Sequence, residues 1–322
     1  MRRNVYGRLY RHVWHGLWAV ALLLANASLA VASASERSDA QATRIDILRD
    51  LPYAGTDNPR QQLDLYRPRD RSEAALPVLI YLHGGAWWQG DKGAGAAHLP
   101  RFVTSGDFAG VSVGYRLTDE ASWPAQLHDA KAAVRWVKAN ADRYGLDAQR
   151  IAVWGHSAGA HLALMLGLTG DEPTLAGSLG PHDAFGTEVQ AVLNFYGIVA
   201  IPALAGQPGY GTRDSPDGPE ARLLGAPVVE VPALARAASP ISWISANDPP
   251  VLTFHGTEDA AVPYQQAVRL DRALRKAGVP SYFITVPDAG HGDFPDGVLD
   301  RTRQFLDEVL LGRDVPFPPA PL

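Results

Sequence analysis

Cysteine is missing from all 322 residues, and methionine occurs only twice. Without cysteine the chain has no disulfide, no thiolate nucleophile, no cysteine-based metal site and no lipid anchor on sulfur. Charge of one sign is also scarce: 29 basic residues stand against 34 acidic ones, for a net charge of -5. No basic run breaks that balance, so the sequence argues against a nucleic-acid partner. Neither H-E-x-x-H nor any comparable ligand cluster occurs, so no metal and no cofactor are expected.

Long apolar runs are nearly absent as well. The exception is "LWAVALLLANASLAVASA", Leu17 to Ala34, preceded by Arg2, Arg3, Arg8 and Arg11. A basic head, an apolar middle and small residues at Ala32-Ser33-Ala34 read as a secretory signal peptide over residues 1–34, with Ser28-Leu29-Ala30 as an alternative cleavage point. The competing reading is an uncleaved membrane anchor, but the run is at the short limit for a span and is diluted by Asn26, Ser28 and Ser33. Cleavage would leave 25 basic and 34 acidic residues, a net charge of -9. The expected protein is exported, without stable membrane insertion, and is stabilised by its core alone.

What remains is ordinary globular composition, 46% apolar and 20% charged. Strand-like runs alternate with helical patterns: "QQLDLY" at 61, "PVLIYLHGG" at 77, "FAGVSVGY" at 108, "RIAVWGHS" at 150, "VQAVLNFYG" at 189, "PPVLTFHG" at 249 and "SYFITVP" at 281. The middle runs are almost continuously apolar, as parallel strands covered on both faces must be. Leu127, Ala130, Val134, Val137 and Ala141 form one helical stripe that Gly145 ends; Pro263 and Gly278 bracket another helix. This alternation predicts one α/β domain over residues 45–312, a mostly parallel central sheet with helices on both faces and antiparallel pairing among the first strands. Residues 199–240, rich in Pro, Gly and Ala, read as an insertion or cap, and residues 313–322 as a loose tail.

The chemistry concentrates at Gly155-His156-Ser157-Ala158-Gly159. A strand ending at His156 and a helix starting at Ser157 force a sharp turn that glycines 155 and 159 leave room for. That turn lifts the serine hydroxyl above the sheet and points helix N-terminal N–H groups at whatever it attacks. A serine needs a base, and the base needs an orienting carboxylate. "HGTEDAAVP" supplies Asp259 and "PDAGHGDF" supplies His291, each just past the end of a predicted strand. Glu258 beside Asp259, and Asp293 beyond His291, are the rival acids. Upstream, His83-Gly84-Gly85-Ala86 offers backbone N–H groups for an oxyanion, joined by that of Ala158.

These blocks, with "LDLYRP", "GYRL", "NFYG" and "ASPISWIS" in order between them, resemble BD-FAE-type and hormone-sensitive-lipase-like carboxylesterases of the α/β-hydrolase superfamily across about residues 45 to 312. The resemblance implies a single-domain α/β-hydrolase fold, Ser157 as nucleophile, Asp259 as acid, His291 as base, and Gly84, Gly85 and Ala158 as oxyanion donors. It favours Asp259 over Glu258 through the "HGTxDxxVP" pattern. Many relatives carry a third glycine where this chain has Ala86, which leaves open which N–H groups of 84–86 face inward.

The expected activity is hydrolysis of a small-molecule carboxylic ester, small or aromatic. Aryl formamidase and dipeptidyl-peptidase-like amide hydrolysis are the alternatives within the enzyme class, and a non-catalytic hydrolase-fold binding protein is the alternative outside it. Trp87, Trp88 and Tyr196 are the candidate pocket residues, with Trp123, Tyr210 and Trp243 as further aromatics. Core packing competes with that role at each of them.

Overall fold

The computed structural model describes residues 44–70, 73–204 and 215–315. The signal-like segment 1–34, Tyr210 and the tail from Pro316 onward lie outside the described residues. The chain divides into a unit of residues 1–45 and a unit of residues 46–322, and apart from Ile45 everything that follows lies in the second.

Eight strands form one sheet: β1 (Ile45–Pro52), β2 (Gln62–Pro68), β3 (Leu76–Leu82), β4 (Ala109–Val113), β5 (Leu146–His156), β6 (Ala191–Phe195), β7 (Val251–Gly256) and β8 (Ser281–Val286), in the order β1-β2-β4-β3-β5-β6-β7-β8. The described helices are α1 (Pro100–Val103), α2 (Ala125–Ala139), α3 (Ala141–Tyr144), α4 (Ala158–Leu168), α5 (Pro219–Leu224), α6 (Pro232–Ala237), α7 (Gln265–Ala277) and α8 (Gly297–Val309). Strand β2 runs antiparallel to β4, and β4, β3, β5, β6, β7 and β8 are mutually parallel. Every residue of β3, β4, β6 and β7 is buried, which requires cover on both faces of the sheet. This is the α/β-hydrolase fold.

Each strand-like run of the sequence is a strand, whereas β1 escaped notice. Its segment "IDILRDLP" is exposed or half-exposed at most positions and so carries no apolar signature. The stripe Leu127 to Ala141 is buried, but the helix breaks at Asn140, so Ala141 belongs to α3, which Gly145 closes at a φ of 66°. Helix α7 begins at Gln265, two residues beyond Pro263, and Gly278 ends it at a φ of 82°. Of the expected loose tail, residues 313–315 are described, and the Arg313 guanidinium is ion-paired to Asp107 and Asp307.

The strand order reverses between β3 and β5. Strand β3 is followed in sequence by β4 on one side, and β5 then lies on the other. Ligands of open α/β sheets bind outside the carboxyl ends of strands at such a switch point. Leu82 is in register with Gly155, so the chain leaving β3 meets the turn leaving β5. A Cβ on Gly159 would collide with the backbone carbonyl oxygens of Leu82 and His83, and one on Gly155 with that of Gly159. Backbone cannot retreat as a flexible side chain does. Gly159→Ala is therefore expected to destabilise the fold by about 2–3 kcal/mol, read as a lowered midpoint in chemical denaturation; an unchanged midpoint would contradict the close approach.

Candidate active site

Ser157 occupies the junction between β5 and α4 with a φ of 53° and a ψ of -118°, a region that costs a residue with a Cβ about 1–3 kcal/mol. The strain is held by what surrounds it. Ser157 N donates to the carbonyl of Phe195 at the end of β6, and α4 is buried at every position. Although Ser157 is the N-cap of α4, its hydroxyl makes no capping bond. Instead Oγ lies 3.0 Å from Nε2 of His291.

The other nitrogen of that ring, Nδ1, is 2.8 Å from Oδ2 of Asp259. An ionised carboxylate only accepts, so Nδ1 carries the hydrogen and Nε2 presents its lone pair to the serine hydroxyl. Asp259 is 1% exposed and is held from several directions. Its Oδ1 accepts the N–H groups of Ala261 and Val262, both at 2.8 Å, and His255 Nε2 lies 3.3 Å from Oδ2. Burial pushes the carboxyl up, but the hydrogen bonds from His255, His291 and Val262 N–H outweigh it and hold the group well below the usual carboxylate range. Glu258 and Asp293 are both exposed. The structure thus brings Ser157, His291 and Asp259 into one hydrogen-bonded line and leaves the two rival acids out of it.

His255 was missed in the sequence. It is fully buried on β7, and its Nε2 also donates to the Val262 carbonyl at 2.9 Å, tying strand to loop beneath the acid. The signal was present in "HGTxDxxVP", where the histidine stands four residues before the aspartate.

The loop after β3 faces this line. A Cβ on Gly84 would lie 3.6 Å from that of Ser157. His83 Nδ1 donates to the Gly84 carbonyl at 2.8 Å, which turns the Gly85 N–H of the same trans peptide the opposite way. The loop is supported from below: the Tyr115 hydroxyl donates to the His83 carbonyl at 2.8 Å while its ring stacks on the His83 imidazole, and Thr118 N donates to the Trp87 carbonyl. Ala86 and Trp87 sit at φ values of 50° and 62°, the left-handed region where a glycine would be at ease. Ala158 begins α4, so its N–H is one of the orphan donors of a helix start.

The three pocket aromatics separate. Trp87 is 1% exposed and anchors the core, with Nε1 donating to His161 Nδ1 at 3.2 Å; His161 in turn donates from Nε2 to the Ala238 carbonyl. Burial holds the His161 imidazole down at about 4, so it stays neutral and able to accept. Trp87 is accordingly withdrawn from the pocket, because an indole locked by its one donor inside the core has no face to offer. Trp123 is buried in the same cluster, and Trp243 spends its N–H on the Ala237 carbonyl. Tyr196 stays at the site, its ring centroid 4.5 Å from that of His291. It borders a cavity of about 180 Å³ that His156, Phe195, Phe294 and Leu299 also line. Trp88 is exposed.

The BD-FAE family model matches residues 63–274, from β2 into α7. The chain belongs to the BD-FAE family. Among curated proteins it is 34% identical over 266 residues to the esterase LipC of Mycobacterium tuberculosis, covering 79% of this chain and 62% of LipC. It is 32% identical to LipQ of the same organism, covering 81% and 60%. The chain thus spans a little under two thirds of the length of these relatives. Among solved structures, the truncated form of a carbohydrate esterase from gut microbiota superposes with a TM-score of 0.76 at 30% identity, covering 83% of this chain and 96% of that one. The match to the BD-FAE family model takes in Ser157 and Asp259 but ends before His291.

The acid of the line has a consequence for stability. A carboxyl held low in the folded state contributes stability that is fully present above its unfolded value, about 3.9, and is lost as pH falls through the folded value. The stability gap between the natural protein and Asp259→Asn should therefore be constant above about pH 5 and shrink below about pH 4. Urea titrations from pH 3 to 7 check this; a gap that widens in acid would contradict the assigned hydrogen bonds.

Proposed function

We propose that the chain is a serine carboxylic-ester hydrolase working through an acyl-enzyme. One observation carries the reading: a serine held in a left-handed elbow, its hydroxyl 3.0 Å from an imidazole whose far nitrogen is 2.8 Å from a buried carboxylate. A helix cap or a core serine has no use for that arrangement. Esterases among its relatives and structural neighbours support the same reading.

In the first half-reaction Ser157 Oγ attacks the ester carbonyl carbon as its proton passes to His291 Nε2. The C=O pair moves onto oxygen, and the N–H groups of Gly85 and Ala158 stabilise that charge, with Gly84 shaping the loop at its side. Asp259 keeps the ring oriented and balances the imidazolium. His291 then gives the proton to the leaving alkoxide, the C–O bond breaks, and the acyl group remains on Ser157. In the second half-reaction a water loses its proton to His291, attacks the acyl carbon and displaces Ser157 Oγ, which takes the proton back.

Hydrolysis of p-nitrophenyl acetate, butyrate and octanoate tests this. Ser157→Ala is expected to lower kcat/KM by about 10³ or more, and the intact enzyme to show a burst of p-nitrophenol equal to its active sites. Equal rates in the two proteins would overturn the assignment of Ser157.

A further inference from the structure

Trp88 is one of four large apolar side chains exposed among the described residues, with Ile47, Phe185 and Val229, and the only aromatic one of them on the loop that follows β3. It is 47% exposed, although its neighbour Trp87 is almost fully buried. The two point apart because Trp87 is committed to His161 beneath the loop, which leaves Trp88 at the rim. Its N–H closes the turn onto the Gly85 carbonyl at 3.1 Å, so its position is fixed relative to the oxyanion loop. Trp88 lies four positions after Gly84, whose backbone faces Ser157; that length of chain spans at most about 14 Å. The indole is therefore carried by the same short loop whose start faces Ser157.

A cation accompanies it. The Arg222 guanidinium on α5 sits over the indole, 5.0 Å from the ring centroid, and its Nε donates to the Asp217 carbonyl at 3.0 Å. No carboxylate of the described residues pairs with Arg222, whereas Arg60 is paired with Asp119, Lys92 with Asp50 and Asp64, and Arg116 with Asp129. In a chain of net charge -5, an exposed arginine with no carboxylate partner among the described residues, oriented by one backbone bond and one aromatic face, is equipped to receive an anion from outside. A guanidinium held this way keeps its Nη edge for a carboxylate, which it binds through two parallel hydrogen bonds. The indole contributes area and an apolar face for a ring.

We propose that Trp88 and Arg222 form a subsite for a ring bearing a carboxylate, so that the preferred ester carries an anionic ring on its acyl or its alcohol side. The inference rests on the ester-hydrolase reading above. Two matched pairs of substrates separate the sides: monoethyl terephthalate against ethyl 4-carbamoylbenzoate for the acyl side, and 4-acetoxybenzoate against 4-acetoxybenzamide for the alcohol side. Within one pair the carboxylate member is expected to show a KM about tenfold lower, the worth of one charge-assisted bond. Arg222→Gln should bring that ratio to about one, Arg222→Lys should restore part of it, and Trp88→Leu should raise KM for both members. A merely structural role would scale both members equally and leave the ratio alone. Isothermal titration of Ser157→Ala with monoethyl terephthalate and 4-acetoxybenzoate reads binding without turnover. Charge-selective binding with no turnover by the natural enzyme would sink the hydrolase reading and keep the subsite. Turnover with equal KM inside both pairs, or a ratio unmoved by Arg222→Gln, would overturn the subsite.

Discussion

The site depends on one close approach, the backbone of Gly159 against the carbonyls of Leu82 and His83. That contact sets α4 down on the end of β3 and fixes the distance between the serine elbow and the loop that bears Gly84 and Gly85. Both partners are main chain, so the separation is set by sheet geometry and does not follow side-chain rotamers. The register of Leu82 with Gly155 supplies the alignment, and the missing side chain of Gly159 supplies the space. The strain at Ser157 persists because the elements on either side of it are fixed in this way.

Around this rigid centre the polar groups are arranged in tiers. Asp259 faces His291 on one side and rests on His255 and two loop N–H groups on the other. The loop bearing Gly84 and Gly85 is similarly braced by His83, Tyr115 and Thr118. In both cases a buried side chain holds a backbone segment whose own conformation decides where a donor points. Preorganised donors of this kind need not reorganise while charge develops, and electrostatic catalysis depends on that.

Much of the fold was legible because apolar runs of strand length alternate with helical stripes, and such runs can be buried only in a sheet covered on both faces. β1 escaped because an exposed edge strand has no reason to be apolar. Ser157, His291 and Asp259 were legible because each follows a strand and the chemistry demands those residue types in combination. Trp87 misled for a physical reason: an indole beside a glycine-rich loop looks the same in sequence whether its ring turns inward to His161 or outward to solvent. His255 was passed over because a histidine inside an apolar strand announces no partner until the loop beyond it folds back.

The sequence by itself determined the alternation of elements, the glycines that permit the elbow, the chemical types at the site and the absence of any thiol chemistry. These are local properties, set by period, side-chain volume and ionisable groups, and they survive without knowledge of distant contacts. Tertiary structure alone decided which acid meets His291, which tryptophan stays at the surface, and that Arg222 comes to lie over Trp88 from a segment 134 residues away along the chain. Those outcomes turn on directions of side chains and on pairs distant in sequence. Both are settled only when the sheet closes and burial assigns each group a partner.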